Sequence, residues 1–221
     1  MKKLIILFLL ILSSISYSQD FDKLANAVVN KDLNALDSLL NAGIDINVTE
    51  EDRGATVLLI ASSFKDYDDV VSILVSRGAD VNFKGKDGRT SLMWAAGNSL
   101  ATTKILLENG ADVKAIGDDG MNAFIQSTFG ILSKKVTTDV MDLLLENGAD
   151  VNSALAGKDA SGWTALLFAV VNGNFDLVKY LISKGADVNH TSDEGATALS
   201  LARQEKYESL VSLLKENGAL D

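Results

Sequence analysis

The sequence predicts an all-α solenoid of about six helix-pair repeats, joined by short β-hairpin-like fingers. Three observations carry this reading. A glycine phrase returns six times at a step in the thirties. An apolar run with helical spacing precedes each copy. Between one phrase and the next helix lies a turn that ends in a hydroxyl or amide residue. A near-constant step of this size marks stacked supersecondary units that bury their faces only against one another.

The phrase begins as Gly43-Ile44-Asp45-Ile46-Asn47 and returns as Gly78-Ala79-Asp80-Val81-Asn82 and Gly110-Ala111-Asp112-Val113-Lys114. It is GADVN again at Gly148–Asn152 and Gly185–Asn189, and it ends the chain as Gly218-Ala219-Leu220-Asp221. The glycine-to-glycine steps are 35, 32, 38, 37 and 33. Each glycine follows an apolar run such as Ile105-Leu106-Leu107 or Leu143-Leu144-Leu145. It therefore stands where a helix ends and the backbone turns left-handed.

Upstream of each run, a shorter helix carries small residues: Ala61, Ala95 and Ala96, Ala169, Ala202. Small side chains let neighbouring helices approach closely. Thr56, Thr90, Asn122, Thr164 and Thr197 stand where each short helix begins and supply N-caps. Turns at Asp52-Arg53-Gly54, Lys86-Asp87-Gly88, Asp118-Asp119-Gly120, Ala160-Ser161-Gly162 and Asp193-Glu194-Gly195 come before them. One unit thus runs turn, short helix, longer helix, glycine, extended finger. Residues 20–47 form an N-terminal cap with helices near 21–30 and 33–41, and residues 195–221 form a C-terminal cap.

In these features the chain resembles the ankyrin repeat, whose pattern runs D-x-x-G-x-T-P-L-H-x-A-A and then V-x-x-L-L-x-x-G-A-D-V-N. The nearest copy is Gly162-Trp163-Thr164-Ala165-Leu166-Leu167-Phe168-Ala169, followed by Leu177 to Ile182 and Gly185. The resemblance covers residue 20 to the end. The pattern's proline is replaced by Val57, Ser91, Ala123, Ala165 or Ala198, its histidine is nowhere present, and the chain has no proline at all. The resemblance implies a divergent, less rigid array that binds proteins on a concave side built from fingertips and short helices.

Residues 1–18 are set apart. Lys2 and Lys3 precede an unbroken apolar run from Leu4 to Leu12, and Ser16 and Ser18 give a small-x-small cut before Gln19. These are the parts of a secretory signal peptide. The run is far short of the ~20 residues that a membrane span needs. The expected mature domain is 19–221, exported to a bacterial periplasm or secreted, with no stable membrane insertion.

The formal charge of −10 falls to −12 once Lys2 and Lys3 are removed. Such a surface repels phosphate backbones, so nucleic acid is not expected as a partner, whereas encounter with a basic protein is favoured. The chain has no cysteine and one histidine, His190, read as a solvated turn residue. That excludes disulfides, thiolate chemistry and the usual zinc ligand sets. There is no phosphate-binding glycine loop and no G-x-S-x-G elbow. No enzyme activity and no cofactor are expected.

Two repeats are overlong. Asn122 to Gly148 takes 26 residues against 20 to 22 elsewhere, with the surplus around 128–136, between the paired helices. Gly148 to Thr164 takes 16 against 12 or 13, which enlarges the finger at 153–159. By position, the expected binding residues are Lys86, Asp87, Arg89, Asp118, Asp119, Met121, Lys158, Asp159 and Trp163. Arg89, Met121 and Trp163 share one slot after the turn glycine, and arginine and tryptophan are common interface anchors. Trp94, inside a short helix, reads as core.

The function expected is that of a monomeric, non-enzymatic scaffold binding another protein, in an immunity or inhibitor role. The alternatives are an adaptor supporting an envelope enzyme and an effector acting on foreign proteins. The exported protein is expected to begin at Gln19. Intact mass of the secreted or periplasmic species checks this, and a membrane-retained form still carrying Met1 would identify an anchor instead.

Overall fold

The computed structural model describes residues 19–156 and 162–220. Lys158 and Asp159 of the expected binding set lie outside the described residues, as does the segment 1–18. Among the described residues, twelve helices form six consecutive pairs: α1 (19–29) with α2 (Leu33–Asn41), α3 (Val57–Ser62) with α4 (Asp68–Ser76), and α5 (Ser91–Ala96) with α6 (Leu100–Glu108). The series continues with α7 (Ala123–Leu132) and α8 (Asp139–Glu146), α9 (Ala165–Val171) and α10 (Phe175–Ser183), and α11 (Ala198–Gln204) and α12 (Glu208–Glu216). First helices stack in a row from α3 through α5, α7 and α9 to α11, and second helices pack on second helices. The architecture is the all-α solenoid that the glycine spacing predicts.

The core follows from the apolar spacing of each helix. Leu24 and Leu36, Leu58 and Leu74, Leu92 and Leu106, Phe124 and Leu144, Leu166 and Leu181, and Leu199 and Leu214 are buried pair by pair and form one continuous cluster. Ala61, Ala95, Ala96, Ala169 and Ala202 are fully enclosed, as small residues at close helix approaches should be. The third repeat departs from this rule. Thr102 and Thr103 occupy places that Val70 and Val71 fill in α4, and Val140 and Met141 in α8. Thr103 donates to the Ser99 carbonyl at 2.7 Å, whereas the buried Thr102 hydroxyl has no partner.

Four of the five expected N-caps close. Thr56, Asn122, Thr164 and Thr197 accept backbone N–H groups three residues on, and Thr197 completes a reciprocal capping box with Ser200. Thr90 is the exception: it sits at the cap but makes no capping bond, and its hydroxyl is buried without a partner. Second helices either carry a side-chain cap, as at Asp32, Ser99 and Asn174, or place acids in the first turn, where the helix dipole favours them.

The phrase glycines end the second helices in the left-handed region, at φ +84 for Gly110 and +92 for Gly148. A Cβ at either would meet nothing within 4 Å, so the backbone angle alone demands glycine there. The asparagine that ends the phrase then joins one repeat to the next. Asn82 Oδ1 accepts the Asp112 N–H at 2.7 Å, and its Nδ2 donates to the Gly110 carbonyl at 2.9 Å. Asn47, Asn152 and Asn189 make the same pair of bonds to the following phrase. Four junctions are latched in this way.

The first insertion is helix as far as Leu132 and turn and bend over 133–136. It extends α7 to 10 residues against 6 in α3 and α5. The added turn is tightly held. A Cβ on Gly130 would come within 2.6 Å of the Gly97 carbonyl of the neighbouring first helix. The second insertion lengthens a finger whose base is a two-stranded antiparallel ribbon, β1 (Ala154–Leu155) with β2 (Trp163–Thr164). The register pairs Ala154 with Thr164 and Leu155 with Trp163.

Removal of a latch should be costly. Asn82→Ala deletes two inter-repeat hydrogen bonds and is expected to lower stability by about 1–2 kcal/mol. Lys114→Ala, at the one junction without an asparagine latch, should stay within about 0.5 kcal/mol. Urea denaturation followed by circular dichroism measures both. Equal costs would show that the asparagine bonds contribute nothing.

Candidate functional site

The fingers and first helices present one continuous set of side chains. Adjacent fingers are tied by backbone bonds, from Lys86 N–H to the Arg53 carbonyl and from Asp118 N–H to the Asp87 carbonyl, each at 3.0 Å. Close approach at this seam explains the turn glycine Gly88, where a Cβ would fall 2.6 Å from the Asp118 side chain.

Arg89 is tied down within this frame. It pairs with Asp119 at 2.5 Å, lies 3.7 Å from Asp87, and its guanidinium sits 5.1 Å from the centre of the Trp94 ring. Asp87 and Asp119 each also accept a turn N–H, from Arg89 and Met121 respectively. Burial raises the Asp119 carboxyl, but the hydrogen bonds from Arg89 and the Met121 N–H outweigh it and hold the group below the usual carboxylate range. Lys86 and Asp118 are exposed, with the Lys86 ammonium donating to the Glu51 carbonyl, and Met121 is half-buried.

Trp163 is half-buried on β2 and lies 5.1 Å, centre to centre, from Phe168 of the helix that follows. Phe168 in turn meets Phe129 of the extended α7 edge-on at 4.9 Å. The result is an aromatic stripe crossing from the fourth repeat to the fifth. Arg89 and Trp163 share a slot in the repeat but have different neighbours: the first is fixed by acids and an indole, the second by aromatic rings.

Trp94, read from the sequence as core, is half-buried instead and lines a cavity of about 490 Å³ between the second and third repeats. Ile60 and Leu59 form its apolar wall, and Arg53 and Lys86 stand at the finger side. Ile60, Trp94, Gln126 and Phe168 occupy one repeat position, four residues after the N-cap, and all are half-buried. The sequence held a signal for this row. Side-chain type changes freely at that position, while the residue before it is always a large apolar one (Leu59, Met93, Ile125, Leu167) and the residue after it always small (Ala61, Ala95, Ser127, Ala169).

His190 also differs from its expected solvated state. Its ring is half-buried, with Nε2 2.7 Å from the Gly162 carbonyl of the preceding finger. Opposite this face, Asp142 of α8 receives Lys184 at 2.6 Å and the Tyr180 hydroxyl at 2.7 Å, which join the fourth and fifth repeats. The Lys184 hydrogen bond, against the opposing effect of burial, lowers the Asp142 carboxyl. Burial and this carboxylate push the Tyr180 phenol well above its ordinary value. Among the described residues no cluster of acids and histidine could hold a metal ion, and no helix is long and apolar enough to cross a membrane.

The model of the family described as ankyrin repeats (3 copies) matches residues 24–116 and 130–220. An ankyrin repeat protein of fowlpox virus is 32% identical over 165 residues, covering 71% of this chain and 46% of the relative. Ankyrin repeat and KH domain-containing protein mask-1 of Caenorhabditis elegans is 32% identical over 203 residues, 82% of this chain and 8% of the relative. Human protein phosphatase 1 regulatory subunit 27 is 38% identical over 77 residues, 35% of this chain and 47% of the relative. The chain thus spans less than half the length of each of these relatives.

The Arg89–Asp119 pair makes an acid-side prediction. A carboxyl whose folded pKa is depressed stabilises the fold above its unfolded pKa, and that contribution is lost as pH falls through the folded value. Arg89→Ala should therefore move the Asp119 midpoint upward. Carbon-detected NMR titration of the side-chain carboxyl reads it, and an unchanged midpoint would show that the pair does not persist in solution.

Proposed function

Because this chain belongs to the ankyrin-repeat family, a family whose members generally bind proteins and do no chemistry, we propose that it is an exported scaffold holding a partner protein on its finger and first-helix face. One observation carries the choice of surface: the row Ile60, Trp94, Gln126 and Phe168, with an open cavity beside Trp94. These side chains are each only half-buried, and two of the four are large aromatics, the residue types that dominate interface energetics. Trp163 and Arg89 flank the row from the fingers.

The signal-like segment 1–18 supports export, and two lysines before a nine-residue apolar run suit a bacterial envelope. The acidic balance favours a basic partner. A small acidic array that masks a basic protein acts by occupying it, which is the immunity or inhibitor role. The relative named as a phosphatase regulatory subunit supports the more general idea that such repeats act through another protein.

Capture on the mature chain from its own envelope fraction, read by mass spectrometry, tests the role. Recovery of one basic protein whose activity the chain suppresses is expected. Recovery of an enzyme that loses activity without the chain would make it an adaptor. With that partner in hand, Trp94→Ala and Trp163→Ala should each weaken binding about thirtyfold, the effect of losing ~2 kcal/mol at an aromatic anchor, with the helical circular-dichroism spectrum preserved. Lys179→Glu, on the second-helix side, should change little. The reverse pattern would move the binding surface to the second helices.

A further inference from the structure

Four junctions of the array are closed by an asparagine carboxamide, and the junction between the third and fourth repeats is not. Lys114 stands where Asn47, Asn82, Asn152 and Asn189 stand in the other phrases. A lysine ammonium donates hydrogen bonds but accepts none, so it cannot take the N–H that an asparagine oxygen takes elsewhere. The groups left over are the Asp150 N–H and the Gly148 carbonyl. These are the equivalents of Asp112 N–H and Gly110 carbonyl at the junction that Asn82 closes. Neither has a hydrogen-bond partner among the described residues.

Space is present at the same place. A cavity of about 320 Å³ is lined by Lys114, Gly148, Asp150 and Ser153, with Val113 and Ile116 as apolar neighbours. The Ser153 hydroxyl is buried there and has no partner. Ile116 is 52% exposed, an unusual place for an isoleucine of this chain. A donor, an acceptor, a free hydroxyl and an apolar rim thus surround a gap that a carboxamide fills at every other junction.

We propose that this seam is a binding site for an asparagine side chain presented by the partner protein, which supplies the latch the chain itself lacks. The proposal rests on the protein-binding reading but uses a site separate from the Trp94 row. The chemistry selects the ligand. A carboxamide offers an acceptor oxygen for the Asp150 N–H and a donor nitrogen for the Gly148 carbonyl on adjacent positions. A carboxylate can satisfy the first but not the second, and an ammonium the second but not the first. The side chain before or after the asparagine would cover Ile116. A partner seated here spans both halves of the array at the one junction where they are not latched.

The test uses the isotope-labelled full chain and three probes: N-acetyl-asparagine methylamide, and the corresponding aspartate and alanine derivatives. The asparagine probe should produce saturable amide shifts centred on Gly148, Asp150 and Ser153 in the millimolar range, as befits a small ligand. The aspartate and alanine probes should not. Lys114→Asn should close the seam from within, abolish those shifts and raise the urea midpoint. Ser153→Ala should weaken the asparagine shifts severalfold without altering the fold. Equal shifts from the alanine probe would show that a backbone amide, not a side-chain carboxamide, is bound, and would overturn the proposal. So would an absence of shifts, or shifts that survive in Lys114→Asn. None of these outcomes depends on Trp94 or Trp163, so failure here leaves the finger-face reading intact, and failure there leaves this site intact.

Discussion

A pair of helices of six to ten residues has two apolar sides and no interior of its own, so each pair is stable only when a second pair closes each side. Everything regular in the chain answers to this stacking constraint. The step in the thirties keeps successive faces in register, and the left-handed glycine returns the chain so that the next pair runs parallel to the last. The asparagine latch fixes the distance between one helix end and the next. Alanines such as Ala95, Ala96 and Ala169 set how closely the first helices approach. Where first helices approach most closely, at Gly130, even a methyl group would strike the Gly97 backbone carbonyl.

The same constraint leaves one face free. First helices touch their neighbours along two sides and their partner helix along a third, so the remaining side is only partly covered. Residues there are chosen by whatever they meet in solution. Isoleucine, tryptophan, glutamine and phenylalanine succeed one another at Ile60, Trp94, Gln126 and Phe168, whereas the buried positions on either side hold a large apolar residue and a small one in each of these repeats. The fingers extend this face, and their acids do two jobs. Asp87 and Asp119 shape their own turns and also hold Arg89 over Trp94, so the guanidinium is already positioned and loses less freedom when a partner arrives.

Helix number, order and ends were legible because glycine, small residues and capping side chains are requirements of backbone geometry, which acts locally. The finger-face residues were legible only as positions. Trp94 was misread as core because apolar character says nothing about which side of a buried helix a residue occupies. The insertion at 128–136 was expected to form a loop. Its first part, through Leu132, continues as helix because Phe129 finds Phe168 and Gly130 fits against Gly97, contacts between residues more than thirty apart, and only 133–136 form turn and bend. Thr90 carries the sequence signature of a cap without making the bond, and its hydroxyl is buried without a partner.

Regularity fails in the middle of the array, and the failures lie close together. Thr90, Ser91 and Thr102 of the third repeat bury hydroxyls without partners, Thr102 and Thr103 replace the aliphatic pair of the other second helices, and Lys114 removes the latch that follows. Each unsatisfied buried hydroxyl costs about 1–3 kcal/mol, and each missing latch forgoes a pair of bonds. In a linear stack such losses cannot be shared with distant repeats, because every repeat is stabilised only by its neighbours. The join between the third and fourth repeats thus lacks its phrase-side latch, while the first helices α5 and α7 stay tightly packed across it.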